Sequence, residues 1–252
     1  MEPYERLILS LDWFARPRDA FLAVKNLGIP GVIVKLGAVL DRYGAESDIV
    51  ARFADAGFPV FVDFKILDTR DKAAERALVW RAAGAKFLTV HASGTRKMMQ
   101  QCVQAAGEMK IIAVTVMTSI DHTESMHIYG HAPAVAAMNL AFDAYMAGVH
   151  GITASAKDLS EVMKLRAIGN GCLPEMIVTP GIRPVWAPAD DQKRIATPAE
   201  AIRAGATHLV IGRPIFHPPP EIGSPQKALA LILEEIASAS AELAITPVDN
   251  RP

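Results

Sequence analysis

Three charged side chains interrupt an apolar run at residues 61–69, FVDFKILDT. Asp63, Lys65 and Asp68 are costly to bury unless they pair with one another or take part in chemistry. Side chains two positions apart in a strand share a face, so Asp63 and Lys65 are expected to point the same way, with Asp68 on the following loop. The spacing predicts an ammonium group held beside carboxylates.

The residues around this run favour proton transfer over other lysine chemistry. Lys35 lies near the end of the preceding apolar run, and Asp12 ends the first one. Neighbouring carboxylates keep Lys65 protonated, whereas a Schiff-base lysine needs a depressed pKa. Two ammonium groups also disfavour a divalent metal. The cluster predicts proton delivery to a developing carbanion, supported by fixed charges; the alternative is an ion-pair network without a catalytic role.

Two glycine-containing turns near the C-terminus have the composition of a phosphate site. They are TPGIRP at 179–184 and IGRP at 211–214. Gly181 and Gly212 permit close backbone approach, and Arg213 offers a bidentate fork that suits phosphate. The irregular segment 182–194 is expected to be either a lid that brings Gln192 to a ligand or a solvated surface loop.

Short β-branched runs alternate with segments rich in helix-forming residues, which indicates parallel strands joined by helices. Eight alternations in 252 residues predict an α/β protein, a (β/α)8 TIM barrel over residues 1–243, with a doubly wound open sheet as the alternative. Residues 244–252 are predicted to be a poorly ordered tail. The C-terminal strand ends of a barrel meet at one rim, so the polar residues above would converge there. The predicted strands are 6–12, 31–37, 60–66, 87–93, 111–117, 151–155, 175–181 and 208–214, and the clearest predicted helices are 69–84, 95–107, 133–148 and 157–169.

The composition excludes several classes of partner and site. The chain is 51% hydrophobic and 21% charged with a net charge of −1, so it has no electrostatic footprint for nucleic acid or for an anionic membrane. Cys102 and Cys172 are far apart, which argues against a disulfide framework and a cysteine metal site. The N-terminal residues do not have the pattern of a signal peptide, and no run approaches the ~18 apolar residues of a membrane span. A cytoplasmic protein is predicted.

Several blocks together resemble one known family. They are DFKILDT (63–69), HASG (91–94), TVMTS (115–119), TPGIRP (179–184), DQKRIATP (191–198) and VIGRPI (210–215). In this order they resemble orotidine 5′-phosphate decarboxylase of the shorter, bacterial type, over nearly the whole chain. The Asp-x-Lys-x-x-Asp pattern alone marks a wider superfamily of phosphate-binding barrels, and the C-terminal blocks narrow it.

The resemblance implies decarboxylation of orotidine 5′-monophosphate to UMP, the last step of de novo pyrimidine synthesis, without a cofactor or metal. It makes Lys65 the proton donor to the C6 carbanion and places Asp63 beside the substrate carboxylate. Lys35 would hold the charge network and contact the ribose, and Asp12 would bind a ribose hydroxyl. The family is a homodimer, in which Asp68 would complete the network of the other subunit.

The remaining contacts to the nucleotide are also implied by the resemblance. The pyrimidine would be touched by Thr118 with Ser119, and Thr69 also counts among the substrate-binding residues. The phosphate would be held by Arg183, Gln192, Gly212 and Arg213.

Two positions differ from the family pattern, and three other residues receive simpler interpretations. Thr95 and Asp190 stand where members often have glycine. His91 is interpreted as a hydrogen-bonded rim residue, Ser155 as a helix cap and Trp13 as hydrophobic packing.

Two other functions stay open on the sequence. One is a metal-dependent relative, either a sugar-phosphate decarboxylase or a hexulose-phosphate aldolase. The other is a nucleotide-binding barrel without catalysis.

Overall fold

Eight parallel strands close into a barrel in the computed structural model, which describes residues 1–37, 39–43, 48–168, 171–188 and 194–245. Each strand pairs with the next in sequence, and β1 pairs with β8. This confirms the predicted (β/α)8 barrel and excludes the open sheet, which would leave β1 and β8 unpaired. The strands are β1 Leu7–Ser10, β2 Ile33–Leu36, β3 Val60–Ile66, β4 Phe87–His91, β5 Lys110–Val114, β6 Gly151–Thr153, β7 Met176–Thr179 and β8 His208–Ile211.

Most strands are shorter than the apolar runs that predicted them. The run 6–12, for example, supplies the strand Leu7–Ser10, and the run 208–214 supplies His208–Ile211. The residues beyond these strand ends leave the hydrogen-bonded ladder and form the C-terminal rim. Continuous apolar sequence therefore marked both the barrel wall and the rim above it.

Helices surround the barrel and cover its outer face. The predicted helices 69–84, 95–107 and 133–148 are confirmed to within two residues at each end. The helices are α1 Pro17–Leu27, α2 Val39–Tyr43, α3 Ile49–Asp55, α4 Arg70–Ala82, α5 Arg96–Ala106, α6 His122–Tyr129, α7 Pro133–Met146, α8 Leu159–Val162, α9 Pro198–Arg203, α10 Arg213–Phe216 and α11 Pro225–Ile245, with 3₁₀ turns at Pro3–Arg6, Ala92–Gly94, Ala156–Asp158 and Met163–Ala167. None of the helices in the described part of the chain has the length and hydropathy needed to cross a membrane.

The prediction of one helix over 157–169 is wrong. The segment contains only the short helix α8 between two 3₁₀ turns. Its buried apolar side chains are Leu159, Val162 and Leu165, which recur every third residue. A spacing of three aligns side chains on one face of a 3₁₀ helix, whereas an α-helix would rotate them away from the barrel.

Two apolar layers stabilise the barrel because strand side chains alternate between its inside and its outside. Ile8 belongs to an inner cluster, while Leu7 and Leu9 belong to the outer core against the helices. The complete inner cluster is Ile8, Ile33, Phe61, Ile112, Met176 and Val178. It fills the barrel below the C-terminal rim, so the polar rim residues lie directly above a packed apolar layer.

The predicted poorly ordered tail falls mainly outside the described residues. Helix α11 continues to Ile245, and residues 246–252 lie beyond the part of the chain that the structure describes. The disorder of the tail therefore stays a prediction.

Thr95 has a backbone conformation that favours glycine. Its φ of 79° and ψ of 153° fall in a region that residues with a Cβ rarely adopt. The residue also caps α5, since its hydroxyl oxygen accepts a hydrogen bond from the Met98 N–H at 3.4 Å. Local strain and a long capping contact therefore oppose each other at this position.

We expect Thr95→Gly to raise the free energy of unfolding by about 1 kcal/mol. Relief of strain is on the order of 1–3 kcal/mol, whereas glycine in place of a threonine cap costs only a few tenths. Urea unfolding measures the change. Thr95→Ala keeps the strain and loses the cap, so it should be less stable than the wild type by about 1 kcal/mol. If Thr95→Gly is less stable than the wild type, the backbone at residue 95 is not strained.

Candidate active site

A cavity of about 360 Å³ opens at the C-terminal rim of the barrel. Seven of the eight strands contribute to its wall directly or through the residues that follow them; β4 does not. The predicted site residues that line it are Asp12, Lys35, Asp63, Lys65, Thr118, Ser119, Arg183, Gly212 and Arg213. The rim residues that the sequence singled out therefore converge on one site.

Acids and ammonium groups alternate along one side of this cavity. The Lys35 Nζ lies 2.5 Å from Oδ2 of Asp12 and 3.1 Å from Oδ2 of Asp63. The Lys65 Nζ lies 2.9 Å from the same Asp63 oxygen. The order is thus Asp12, Lys35, Asp63, Lys65, in which each inner member touches two opposite charges.

Asp12 is held in place by groups from two strands. The Ser10 hydroxyl donates to its Oδ2 at 2.9 Å, and the Gly37 backbone N–H donates to its Oδ1 at 2.9 Å. A Cβ on residue 37 would stand 2.9 Å from that Oδ1, closer than side-chain carbons approach an oxygen. Glycine at position 37 therefore permits the backbone contact that orients the carboxylate.

The pairing favours the charged forms of Asp12, Lys35 and Asp63. Burial raises the pKa of Asp63, but Lys35 and Lys65 offset this and hold its pKa at about 2. Burial also lowers the pKa of Lys35, yet Asp63 and Asp12 leave it above the ordinary value. Burial raises the pKa of Asp12 as well, but Lys35 together with the hydrogen bonds from Ser10 and Gly37 leaves it below the ordinary value.

The two lysines differ in access to the cavity. The side chain of Lys35 is 9% exposed and lies between two acids, whereas that of Lys65 is 41% exposed and touches Asp63. Lys65 can therefore present its ammonium group to a ligand, and Lys35 is placed to fix the two carboxylates.

Asp63 and Lys65 meet as the sequence predicted, but not through a regular strand. The pairing of β3 with β4 shifts between Val62 and Ile66, and Lys65 has a φ of 49°. The rule that residues two apart in a strand share a face therefore predicted the contact between Asp63 and Lys65 correctly, although the backbone there is irregular. A non-glycine residue with positive φ at such a position is a form of strain that often accompanies function.

Asp68 and Thr69 do not reach the cavity wall formed by the described residues. Asp68 Oδ2 lies 3.3 Å from Nη2 of Arg76, and its Oδ1 accepts the Thr69 backbone N–H at 2.7 Å. Thr69 precedes α4 as its N-cap residue. A single protomer thus leaves Asp68 outside its own charge network.

Two arginines lie on the β7–β8 side of the cavity, across the barrel from β3. Arg183 is 8% exposed, and its Nη1 donates to the Ile182 carbonyl at 2.9 Å. The Arg213 guanidinium carbon lies 4.2 Å from the centre of the Trp13 ring, a cation–π contact that orients the side chain. Positive charge is therefore concentrated at the position predicted for phosphate.

Glycine at position 212 allows the chain to pass close to β1. A Cβ there would stand 2.8 Å from the Ser10 carbonyl oxygen. This is too close for a carbon and an oxygen atom, and a backbone oxygen cannot move aside as a flexible side chain could. Gly181 at the other turn has a φ of 77°, which favours glycine as well. Both turns that the sequence singled out therefore need their glycines.

Gln192 and Asp190 belong to the segment 189–193, which lies outside the described residues. The next residue, Arg194, forms an ion pair with the buried Asp158. That pair ties the end of the β7–α9 connection to the turn after β6. The lid role of Gln192 stays a prediction.

The simpler interpretation holds for His91 and misses part of two other residues. His91 Nδ1 lies 2.7 Å from the Ser93 hydroxyl. The Ser155 hydroxyl oxygen accepts the Lys157 N–H at 3.4 Å as a cap, but Ser155 also lines the cavity. Trp13, interpreted as packing, also lines the cavity and stacks on Arg213. An aromatic residue directly after the rim acid Asp12 was the signal available for that role.

Thr89 was not singled out by the sequence. It is fully buried on β4, two residues before His91, and its hydroxyl hydrogen-bonds Asp63 at 3.0 Å. A polar residue at an inward-facing strand position beside the charged run was its only sequence signal.

The acids of the cavity offer little to a metal ion. Asp12 and Asp63 are each bonded to a lysine ammonium. Among the described residues, no three or more His, Cys, Asp or Glu side chains are grouped to hold a metal.

The chain is similar to known proteins over most of its length. The sequence model of the orotidine 5′-phosphate decarboxylase / HUMPS family matches residues 5–223. The chain is 37% identical to orotidine 5′-phosphate decarboxylase of Heliobacterium modesticaldum, covering 96% of this chain and 99% of that protein. It is 41% identical to the protein of the same name from Rhodopseudomonas palustris strain HaA2, covering 93% and 96%.

A solved structure gives the same result. The crystal structure of orotidine 5′-phosphate decarboxylase from Lactobacillus acidophilus aligns with a TM-score of 0.74 and 27% identity, over 92% of this chain and 99% of that one. The chain therefore belongs to the orotidine 5′-phosphate decarboxylase / HUMPS family.

Proposed function

We propose that this protein decarboxylates orotidine 5′-monophosphate to UMP and CO2 in pyrimidine synthesis, without a cofactor, and that Lys65 supplies the proton. The observation that carries the proposal is the accessible Lys65 ammonium, 2.9 Å from Asp63 in a cavity with two arginines across the barrel. The relatives named orotidine 5′-phosphate decarboxylase support the reaction, because the similarity extends over nearly their full length. The cytoplasmic location stays a prediction from composition.

The cavity suits a nucleotide that is anionic at both ends. Its volume of about 360 Å³ is within the range of small-molecule sites. Arg183 and Arg213 would bind the phosphate together with the backbone at Gly212, and Thr118 with Ser119 would contact the pyrimidine. The ribose would then lie near Asp12 and Lys35, between the phosphate and the reacting carbon.

The charge network supports a simple sequence of bond changes. The substrate carboxylate would lie beside Asp63, and the bond between C6 and that carboxylate breaks. CO2 departs, while the electron pair of the broken bond stays on C6 and takes a proton from Nζ of Lys65. Solvent returns a proton to the lysine, whose side chain is 41% exposed. Because the charges are fixed in place before the reaction, little reorganisation is needed as the carbanion forms.

The phosphate contacts would contribute to the rate from a distance. Binding energy from a part of the substrate that does not react can hold the carboxylate close to Asp63. A nucleoside without the phosphate would lose this contribution.

A homodimer would complete the site with Asp68. Within one protomer Asp68 pairs with Arg76 at the rim, and the neighbouring Leu67 is 59% exposed. An exposed leucine beside a rim acid that lies outside the charge network of its own protomer is consistent with a surface that a second copy covers. The partner's copy of the acid would then extend the network beyond Lys65.

The two other functions make different demands. A metal-dependent relative would lose activity with a chelator, and a catalytically inactive barrel would bind UMP without turning over the substrate. Both are outcomes of the assay below.

Mixing orotidine 5′-monophosphate with the protein should abolish the ultraviolet absorbance band of the substrate, with or without EDTA. Lys65→Ala should reduce turnover by at least about 10⁴-fold, because the carbanion loses its proton donor and its nearest cation. Lys72→Ala is the matched control, since Lys72 is an exposed lysine that pairs with Glu75 on α4. Loss of activity in EDTA would favour the metal-dependent relative, and near-normal turnover by Lys65→Ala would exclude the proposed donor.

Asp63 should make stability depend on pH in the acid range. Its pKa is about 2 in the folded protein and 3.8 ordinarily, so the unfolded state binds the proton more readily. The stabilisation is complete above pH 3.8 and is lost as the pH falls towards 2, on the order of 2 kcal/mol. Urea unfolding of the wild type and Asp63→Asn should therefore give free energies that converge as the pH falls. Asp71→Asn removes an exposed carboxylate, and its free energy of unfolding should follow that of the wild type at every pH. If the difference between the wild type and Asp63→Asn does not change with pH, the lowered pKa of Asp63 is contradicted.

Mixed dimers test where Asp68 acts. Lys65→Ala and Asp68→Ala should each be inactive alone. In a dimer that joins one chain of each, one site has Lys65 and the partner's Asp68 intact, so unfolding and refolding the mixture should restore about a quarter of wild-type activity. No recovery, with dimers present by light scattering, would mean that Asp68 does not act across the interface.

A further inference from the structure

Strand β3 carries two extra residues where it passes Thr89. Val62 pairs with Leu88, and Ile66 pairs with Val90, so four steps along β3 match two steps along β4. Residues 63–65 therefore lie opposite Thr89 alone. An irregularity of this kind re-aims side chains, and here it contains both Asp63 and Lys65.

The Thr89 hydroxyl bonds to both ends of this irregular segment. Its oxygen accepts the Lys65 backbone N–H at 2.8 Å, and its proton is donated to Asp63 Oδ1 at 3.0 Å. A hydroxyl has one proton and two lone pairs, so a single group satisfies both contacts. The Lys65 N–H, displaced from the ladder by the extra residues, thus has a partner inside the barrel wall.

The hydroxyl also divides the Asp63 carboxylate between two tasks. Oδ1 accepts the hydrogen bond from the Thr89 hydroxyl, which leaves Oδ2 for the ammonium groups of Lys35 and Lys65 at 3.1 and 2.9 Å. The orientation of the carboxylate therefore follows from β4 as well as from the lysines.

We propose that Thr89 is a positioning residue that sets the Lys65 ammonium and the Asp63 carboxylate in register for proton transfer. The inference rests on the proposed role of Lys65 and adds a residue on the one strand that does not line the cavity. Thr89 itself does not line the cavity and acts through Lys65 and Asp63, to which it is hydrogen-bonded.

Burial makes the contribution of this hydroxyl hard to replace. Thr89 is 0% exposed, so water cannot readily take its place when the hydroxyl is removed. The Lys65 backbone, with its φ of 49°, would lose the bond that holds it in an unfavourable conformation. The backbone at Lys65 would relax from this conformation, and the ammonium would move with it.

Thr89→Val tests the proposal because valine has the same shape without the hydroxyl. We expect kcat for orotidine 5′-monophosphate to fall about 100-fold, the effect of a displacement of about 1 Å at a reacting group. KM should change less than about threefold, because the phosphate contacts lie across the barrel. Thr89→Ser keeps the hydroxyl and should restore kcat to within about threefold of the wild type.

Thr207→Val is the matched control. The Thr207 hydroxyl oxygen also accepts a strand N–H, from Ile177 at 2.7 Å, but at the N-terminal end of β8. It should lower the midpoint of thermal unfolding and leave kcat unchanged. Where Thr89→Val does not fold, Thr89→Cys serves instead, since a thiol is a weak donor and acceptor and should give a kcat between those of serine and valine.

Three results would overturn the proposal: an unchanged kcat in Thr89→Val, an equal loss of kcat in Thr207→Val, or no recovery in Thr89→Ser. A titration of the Asp63 carboxyl carbon by NMR separates this failure from failure of the proposed function. Loss of the Thr89 bond should raise the Asp63 pKa from about 2 even in a protein that does not turn over the nucleotide. An unmoved titration would show that the hydroxyl does not act on Asp63.

Discussion

The charged cluster depends on one buried ammonium group. The Lys35 side chain is 9% exposed, and it stays charged because Asp12 and Asp63 lie on either side of it. Removing one acid would leave an uncompensated charge in the barrel, which is among the most destabilising changes a core can undergo. Since the acids come from the ends of β1 and from β3, the strands flanking β2, the same ion pairs tie three neighbouring strands together at the rim. The charged network of the site therefore depends on β1, β2 and β3 being neighbours in the barrel.

The barrel uses two lysines for two different purposes by varying their burial. Lys35, enclosed by acids, holds Asp63 in its charged form, and Lys65, partly exposed, faces the cavity. The two arginines across the barrel also differ in burial, because Arg183 is 8% exposed while Arg213 is partly exposed and lies over Trp13. Both line the cavity, so the difference in burial does not remove either from the predicted phosphate site.

Sequence reasoning succeeded where a short pattern determines a contact. Alternating strands and helices predicted the barrel, and the spacing of Asp63 and Lys65 predicted their ion pair. It failed where the outcome depends on packing between distant segments. The 3₁₀ turns around α8 follow from a spacing of three buried residues against the barrel wall, and the irregularity in β3 becomes visible only beside β4. The roles of Thr89 and Trp13 likewise depend on neighbours contributed by other strands, which the order of residues along one strand does not reveal.

The packed inner layer has a consequence for how molecules enter and leave. Phe61 and Val178 belong both to the buried inner cluster and to the cavity wall, so the cavity rests directly on solid core. If the proposed reaction takes place here, substrate, nucleotide product and CO2 would all use the opening at the C-terminal rim formed by the described residues. The order in which the two products leave would then be set by the shape of that opening as well as by the reacting bond.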